Sequence, residues 1–310
     1  MSLVRGPLLR WLTTLGILAL VLWLVDAGHI LSQLSSVALP WLLLALAVTP
    51  LQVILSAWRW RYTVARLGAS LSLGHAVREY YLATLVNQLV PGGVVGDAGR
   101  ALRHSRSTGQ TATAVHGVMI ERLSGQVVLL LLAGLLLTLW LPLPEPPMPG
   151  LFLIPGLLVA ALLVWSLMQA PPIRSWWLRF RSDLKRALLD TAALPVQLAS
   201  SLLVIGSYLL VFWCLARGLG IDIATSSPGL LMALCTVLLM AMVVPLTVAG
   251  WGVREGAAAL IWPLAGLDPE QGVALAVSYG LLVLVSALPG ALFLFTGRKN
   301  PGQTAYHCPD

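Results

Sequence analysis

Six runs of some twenty apolar residues dominate this chain, at 11–29, 40–57, 123–141, 151–170, 195–216 and 272–296. A helix needs about 20 such residues to cross a bilayer. In hydrocarbon every backbone N–H and C=O must find its partner inside the segment, which restricts spanning structures to helices and closed barrels. Runs this long and continuous are helical, so the sequence predicts an all-α, polytopic transmembrane helix bundle. Two more stretches, 70–105 and 228–267, are apolar but interrupted near their middles by Pro, Gly and charges. Composition agrees. Of the 310 residues, 58% are hydrophobic and 10% charged, against roughly 25% charged in a soluble domain. That excludes a water-soluble enzyme, a disordered chain and a disulfide scaffold. Cys214 and Cys235 lie in apolar runs and Cys308 near the end, so no disulfide, metal site or cofactor is expected. No GxxxxGK[ST] phosphate loop occurs, so no ATP-driven motor is encoded.

The basic residues act as topology signals before they suggest any nucleic acid. The chain is started inside, crosses at each clean run, and each interrupted stretch returns to the side it left. Arg5, Arg10, Arg59–Arg78, Arg100–Arg106, Arg174–Arg186, Arg298 and Lys299 then all fall on the cytoplasmic side. They make up sixteen of the nineteen Lys and Arg. Arg217 falls outside, with Asp26, Glu145, Asp222, Asp268 and Glu270, while Arg122 and Arg254 lie at membrane depth. Trp58, Trp60, Trp176 and Trp177 mark inner ends, and Trp41, Trp140, Trp213 and Trp262 outer ends. Arg5 and Arg10 before the run Trp11–Val25 imitate a secretory leader, but the cleavage pattern is poor and an uncleaved first span is expected. The reading is a multi-pass protein of the cell inner membrane with both termini cytoplasmic.

Each half then reads span, span, hairpin, span, with opposite starting sides. This is the pattern of an inverted repeat with two opposed re-entrant or broken-helix hairpins. Residues 1–297 make one transmembrane domain, with halves at about 1–145 and 146–297, and 298–310 form a polar cytoplasmic tail. The hairpin tips, Val90–Arg100 and Val244–Arg254, coincide at an offset of 154 in Val90/Val244, Pro91/Pro245, Val94/Val248, Gly96/Gly250 and Arg100/Arg254. Two unrelated Pro/Gly kinks would give the same punctuation without a repeat.

Pro91, Gly92, Gly93 and Gly96 in one tip, and Pro245, Gly250 and Gly252 in the other, break and turn the chain. Broken backbone persists in a bilayer only where protein or a wet cavity covers it. A helix restarting there aims N–H groups and a positive dipole end at the cavity, which suits an anion. Asp97 is placed as N-cap of the restarted helix, or is a cap and nothing more. Arg100 and Arg254 are candidates to hold a phosphate, the bland reading of Arg100 being an interfacial snorkelling side chain. Glu121 pairs with Arg100 or Arg254, or carries a proton. Glu255 follows Arg254 directly and balances its charge. Asn87 and Gln88 satisfy broken backbone or touch a head group, and Trp251 is an apolar plug or a stacking surface. Arg59, Arg61 and the run 174–186 are read as topology signals and anionic-lipid contacts.

Asn87-x3-Pro91-Gly-Gly-x2-Gly96-Asp97-x2-Arg100, then Glu121-Arg122-Leu123, then Pro245-x4-Gly250-Trp-Gly-Val-Arg254-Glu255 resemble the signature of the lysylphosphatidylglycerol synthase transmembrane region, also called the flippase-like or UPF0104 family. The resemblance spans nearly the whole chain. It departs in one place, with Val95-Gly96-Asp97 where the family has Gly-Gly-Asp. In bifunctional members this region is a lipid-translocating unit joined to a cytosolic aminoacyl transferase. The present sequence ends in Gly297–Asp310, so the resemblance implies translocation and not lysyl transfer.

The expectation is therefore a lipid translocator, not an enzyme, that moves a phospholipid or lipid-linked head group without ATP. Its partner is a membrane lipid with an anionic head group. Two rivals remain. One is an accessory subunit of a pathway enzyme or synthase. The other is an integral lipid transferase using Asp97 and Glu121 as acid and base.

Overall fold

Polar residues at the ends of the apolar runs set where the helices begin and stop. The computed structural model of the chain describes residues 2–24, 27–90, 93–141, 171–221, 227–243 and 247–296. The expected span 151–170, the tip residues Pro91, Gly92 and Pro245, the acids Asp26, Glu145 and Asp222, and the tail 298–310 lie outside them. The described residues form α1 (Ser2–Leu24), α2 (Ala27–Ser35), α3 (Leu39–Arg66), α4 (Leu73–Leu89), α5 (Val95–Thr108) and α6 (Thr111–Trp140). There follow α7 (Pro171–Leu184) with a π turn (Lys185–Leu189), α8 (Leu194–Gly218), α9 (Pro228–Ala241), α10 (Val253–Leu264), α11 (Pro269–Ala287) and α12 (Pro289–Thr296). Ser72 caps α4 by accepting from the His75 N–H, Ser227 caps α9 through Leu230, and Asp268 caps α11 through Glu270.

The bundle is helical throughout the described residues, and four of its segments are long and apolar enough to span: Leu39–Arg66, Thr111–Trp140, Leu194–Gly218 and Pro269–Phe293. Both interrupted stretches are two-helix hairpins, α4–α5 and α9–α10. Several boundaries differ from the apolar runs. The run at 11–29 divides between α1 and α2, and the last run breaks at Leu288 because Pro289 has no N–H to continue the ladder. The run at 40–57 continues as helix to Arg66, and the one at 123–141 starts twelve residues earlier, at Thr111. A helix does not stop where hydropathy falls if its polar turns find partners, and these do. Pro50 leaves the Leu46 carbonyl without its usual donor, and the Thr49 hydroxyl takes it at 2.8 Å.

Shifting α3, α4, α5 and α6 by 154 gives 193–220, 227–243, 249–262 and 265–294. The observed helices there are α8, α9, α10 and the pair α11–α12. The packing repeats as well: α6 lies on α9, and α4 lies on α11 and α12. The counterparts α3 and α8 run antiparallel against each other. At one end the Ala38 N–H donates to Gly218 O at 2.9 Å, and at the other Arg66 pairs with Asp190. The main apolar core lies in the second half, where Phe212 stacks on Tyr279 at 4.2 Å among Leu215, Leu234, Leu238 and Trp262. A smaller core surrounds Trp60 with Ala57, Val64, Ala76, Ala101 and Val118.

Candidate functional site

One face of α3 is polar along its length. Thr49, Gln52, Ser56, Arg59 and Thr63 recur at helical spacing and are all buried. They face a matching stripe on α8. Gln52 donates to Ser207 O at 3.0 Å, Arg59 Nη1 to Ser201 Oγ at 3.1 Å, and Gln197 Nε2 to Thr63 Oγ1 at 2.9 Å. Arg59 is therefore turned into the protein interior, which corrects its reading as an anionic-lipid contact. The signal that identifies it is the three- and four-residue spacing of polar side chains on an otherwise apolar helix.

Arg59 opens an ion network built around the first hairpin. Its Nε donates to Glu121 Oε1 at 3.2 Å and its Nη2 pairs with the same oxygen. Glu121 Oε2 accepts from Arg100 Nη2 at 2.8 Å. Arg100 Nε donates to Asp97 Oδ1 at 2.9 Å. Asp97 Oδ2 accepts from Asn87 Nδ2 at 3.1 Å and pairs with Arg122 Nη2. Arg100 is fully enclosed, its Cζ lying 4.7 Å from the Trp60 ring and 4.3 Å from the Tyr80 ring. Its Nη1 is buried without a hydrogen-bond partner.

The tip is shaped by close approach. The Gly96 N–H donates to Asn87 Oδ1 at 2.7 Å, and any Cβ at Gly96 would collide with the Ala83 carbonyl. The restarted helix begins at Val95 with Val94 as its cap residue, so Asp97 sits on the third helical position and is not the N-cap. The Asn87 carbonyl oxygen takes the cap's role from across the hairpin. That frees the Asp97 carboxylate to bridge Arg100 and Arg122.

The second tip is smaller. Gly250 and Gly252 adopt φ of +78° and +85°, and Ala249 also has positive φ at 52°. Glu255 Oε2 accepts the Gly252 N–H at 2.6 Å, while Oε1 binds Arg254 Nε at 3.0 Å and Nη2 at 2.5 Å. Arg254 lies 5.0 Å from the Trp251 ring and 5.6 Å from the Tyr279 ring, closed over by Gly280.

The structure thus brings Asn87, Gly96, Asp97, Arg100 and Glu121 together, and separately Trp251, Gly252, Arg254 and Glu255. Among the described residues no hydrogen bond or ion pair joins the two groups. Glu121 pairs with Arg100, not Arg254. The expected single site, with Arg100 and Arg254 holding one phosphate between them, is replaced by two unlike clusters, because each arginine is tied to carboxylates on or beside its own hairpin. Their charges differ. Arg254 and Glu255 neutralise each other. In the first cluster three guanidiniums share two carboxylates, leaving one positive charge in excess. Its outlet is Arg122, whose side chain is 45% uncovered while those of Arg100 and Glu121 are 0% and 1%. The local sequence gives Arg122 no such role, since the face of α6 on which it lies is not written there. Among the described residues no group of three His, Cys, Asp or Glu is placed to hold a metal.

A family model described as the lysylphosphatidylglycerol synthase TM region matches residues 10–290. No curated protein matches the chain.

Proposed function

The chain belongs to the lysylphosphatidylglycerol synthase TM region family, and from that footing we propose that it carries an anionic lipid head group across the cell inner membrane without ATP. The observation that carries this reading is the excess charge of the Arg59–Arg100–Arg122–Asp97–Glu121 network and its single uncovered arginine. A guanidinium is permanently charged and matches phosphate oxygens in pairs. The phosphate would dock on Arg122 and compete with the Asp97 carboxylate for its guanidinium, while Arg100 and Arg59 hold the field from behind. Arg254, Glu255 and Trp251 contribute from the other hairpin by fixing the second tip, not by touching the phosphate.

Depth supports the assignment. The apolar part of α6, Leu123–Trp140, has eighteen residues and rises about 27 Å, close to the hydrocarbon thickness of a bilayer. Glu121 and Arg122 stand at its end, at the level where head groups meet acyl chains. A head group arriving from the cytoplasmic leaflet would meet Arg122 first. Movement would follow as a rocking of one half against the other along the α3–α8 seam, with the two hairpins entering from opposite faces and both termini cytoplasmic.

The test is head-group scrambling by the purified chain in proteoliposomes, with fluorescent phosphatidylglycerol and phosphatidylcholine compared. The proposal predicts faster transfer of the anionic lipid. Equal rates, or none above empty vesicles, would contradict it. A chain that flips nothing but co-purifies with an active synthase would support the accessory-subunit reading.

A further inference from the structure

On the outer side of the α3–α8 seam two depressions follow one another. The first, about 540 Å³, is lined by Arg66, Lys185, Arg186, Leu189 and Asp190. Arg66 pairs with Asp190 and donates to Arg186 O at 3.3 Å, so the wall is held by a built contact between the last turn of α3 and the π turn. Three cations and one carboxylate leave two positive charges in excess, and Lys185 and Arg186 are exposed. The second depression, about 340 Å³, is lined by Trp58, Pro195, Val196, Ala199, Ser200 and Leu203 and is almost wholly apolar. Trp58 stands two turns back from Arg66 on α3, about 12 Å along its axis. Between the two, the Tyr62 hydroxyl donates to Ala192 O at 3.5 Å, and its ring stacks on Trp58 at 5.7 Å.

Cationic pocket, aromatic step and apolar groove follow in the order of a phospholipid's own head, backbone and tail. Nearby, α7 places Trp176 and Trp177 among Arg179 and Arg181, the composition of a helix lying at the head-group level. We infer that this seam is a second lipid site, which seats an anionic glycerophospholipid with its phosphate on Lys185 and Arg186 and one acyl chain along Trp58, Ala199 and Leu203. An anion without a tail would fill only the first depression, and a zwitterionic lipid would leave the excess charge unmatched. The site lies on the junction between the two halves, so a lipid held there bears on both.

The experiment is native mass spectrometry of the full chain in detergent with dioleoyl phosphatidylglycerol, dioleoyl phosphatidylcholine or inorganic phosphate. Lys185, Arg186 and Ala199 are exposed, so their substitutions leave the fold intact. The chain is expected to retain phosphatidylglycerol over phosphatidylcholine. Lys185→Gln with Arg186→Gln should weaken retention about thirtyfold, Ala199→Phe should weaken it by obstructing the tail, and inorganic phosphate should not displace it. Equal retention of both lipids, or unchanged retention in both variants, would overturn the site. Displacement by inorganic phosphate would make it a free-anion pocket and overturn the lipid. None of Lys185, Arg186 and Ala199 is among the hydrogen-bond or ion-pair partners of the Arg59–Arg100–Arg122 network, so failure here leaves the transport proposal standing, and loss of transport leaves this one.

Discussion

Glu121 is the residue on which the first cluster balances, since it is shared by Arg59 and Arg100 at 1% exposure. Removing its charge leaves two guanidiniums facing each other across a neutral amide. Breaking a buried pair in this way costs roughly 3–5 kcal/mol, so Glu121→Gln is expected to lower the unfolding temperature in detergent sharply, where Gln88→Ala should not. Gly280 carries an analogous role at the second tip. A Cβ there would meet the Arg254 guanidinium and lie 2.8 Å from the Trp251 ring. Gly280→Ala should therefore destabilise by about 1–3 kcal/mol, read from the same melting curves. Asn87, Asp97, Arg100 and Glu121 were legible in the sequence because polar and turn-forming residues are rare in apolar runs and each one demands a reason. Arg59 was not, because it is surrounded by Trp58, Trp60 and Arg61, whose composition reads equally well as a membrane edge. The inward face of α3 is marked only by the three- and four-residue spacing of Thr49, Gln52, Ser56, Arg59 and Thr63, which the composition around Trp58–Arg61 hides.

At the scale of the element, the hairpins show why the tips are rich in glycine. α5 presses on α4 so closely that Gly96 sits on the Ala83 backbone, and α10 starts from Gly252 with its Cα beside Ile17 of α1. At Gly252 a side chain would meet both the positive φ and Ile17 Cβ, 3.0 Å away. Gly252→Ala is expected to cost on the order of 1–3 kcal/mol and to loosen α10 from α1, seen as faster proteolysis within 247–264. Among the described residues hydropathy located the helices but misjudged their lengths. α3 and α6 run on past their apolar stretches because Arg59, Thr63, His116 and Glu121 find partners on neighbouring helices, and such partners are invisible to a window of local sequence.

For the whole molecule, shifting α3–α6 by the offset of 154 read from the two tips lays them over α8–α12, with α3 and α8 as the central antiparallel pair. The unequal charge of the two clusters was not legible, because both tips carry an arginine and an acid within a few residues. Only the pairing separates the self-neutral Arg254–Glu255 from the network that opens at Arg122. If the halves are inverted in the membrane, the α5–α6 and α10–α11 turns lie on opposite faces. Single cysteines at Gln110 and Leu264, both exposed, should then react with an impermeant maleimide from the cytoplasmic and the external side respectively. Labelling of both from one side would exclude the inverted arrangement. The most direct measurement of the central claim is the rate of phosphatidylglycerol flipping in proteoliposomes containing wild type, Arg122→Lys or Arg122→Gln. The account predicts that Gln slows transfer about tenfold and that Lys, which keeps the charge but loses the paired contact, restores only part of it. Transfer by Arg122→Gln at the wild-type rate would contradict it.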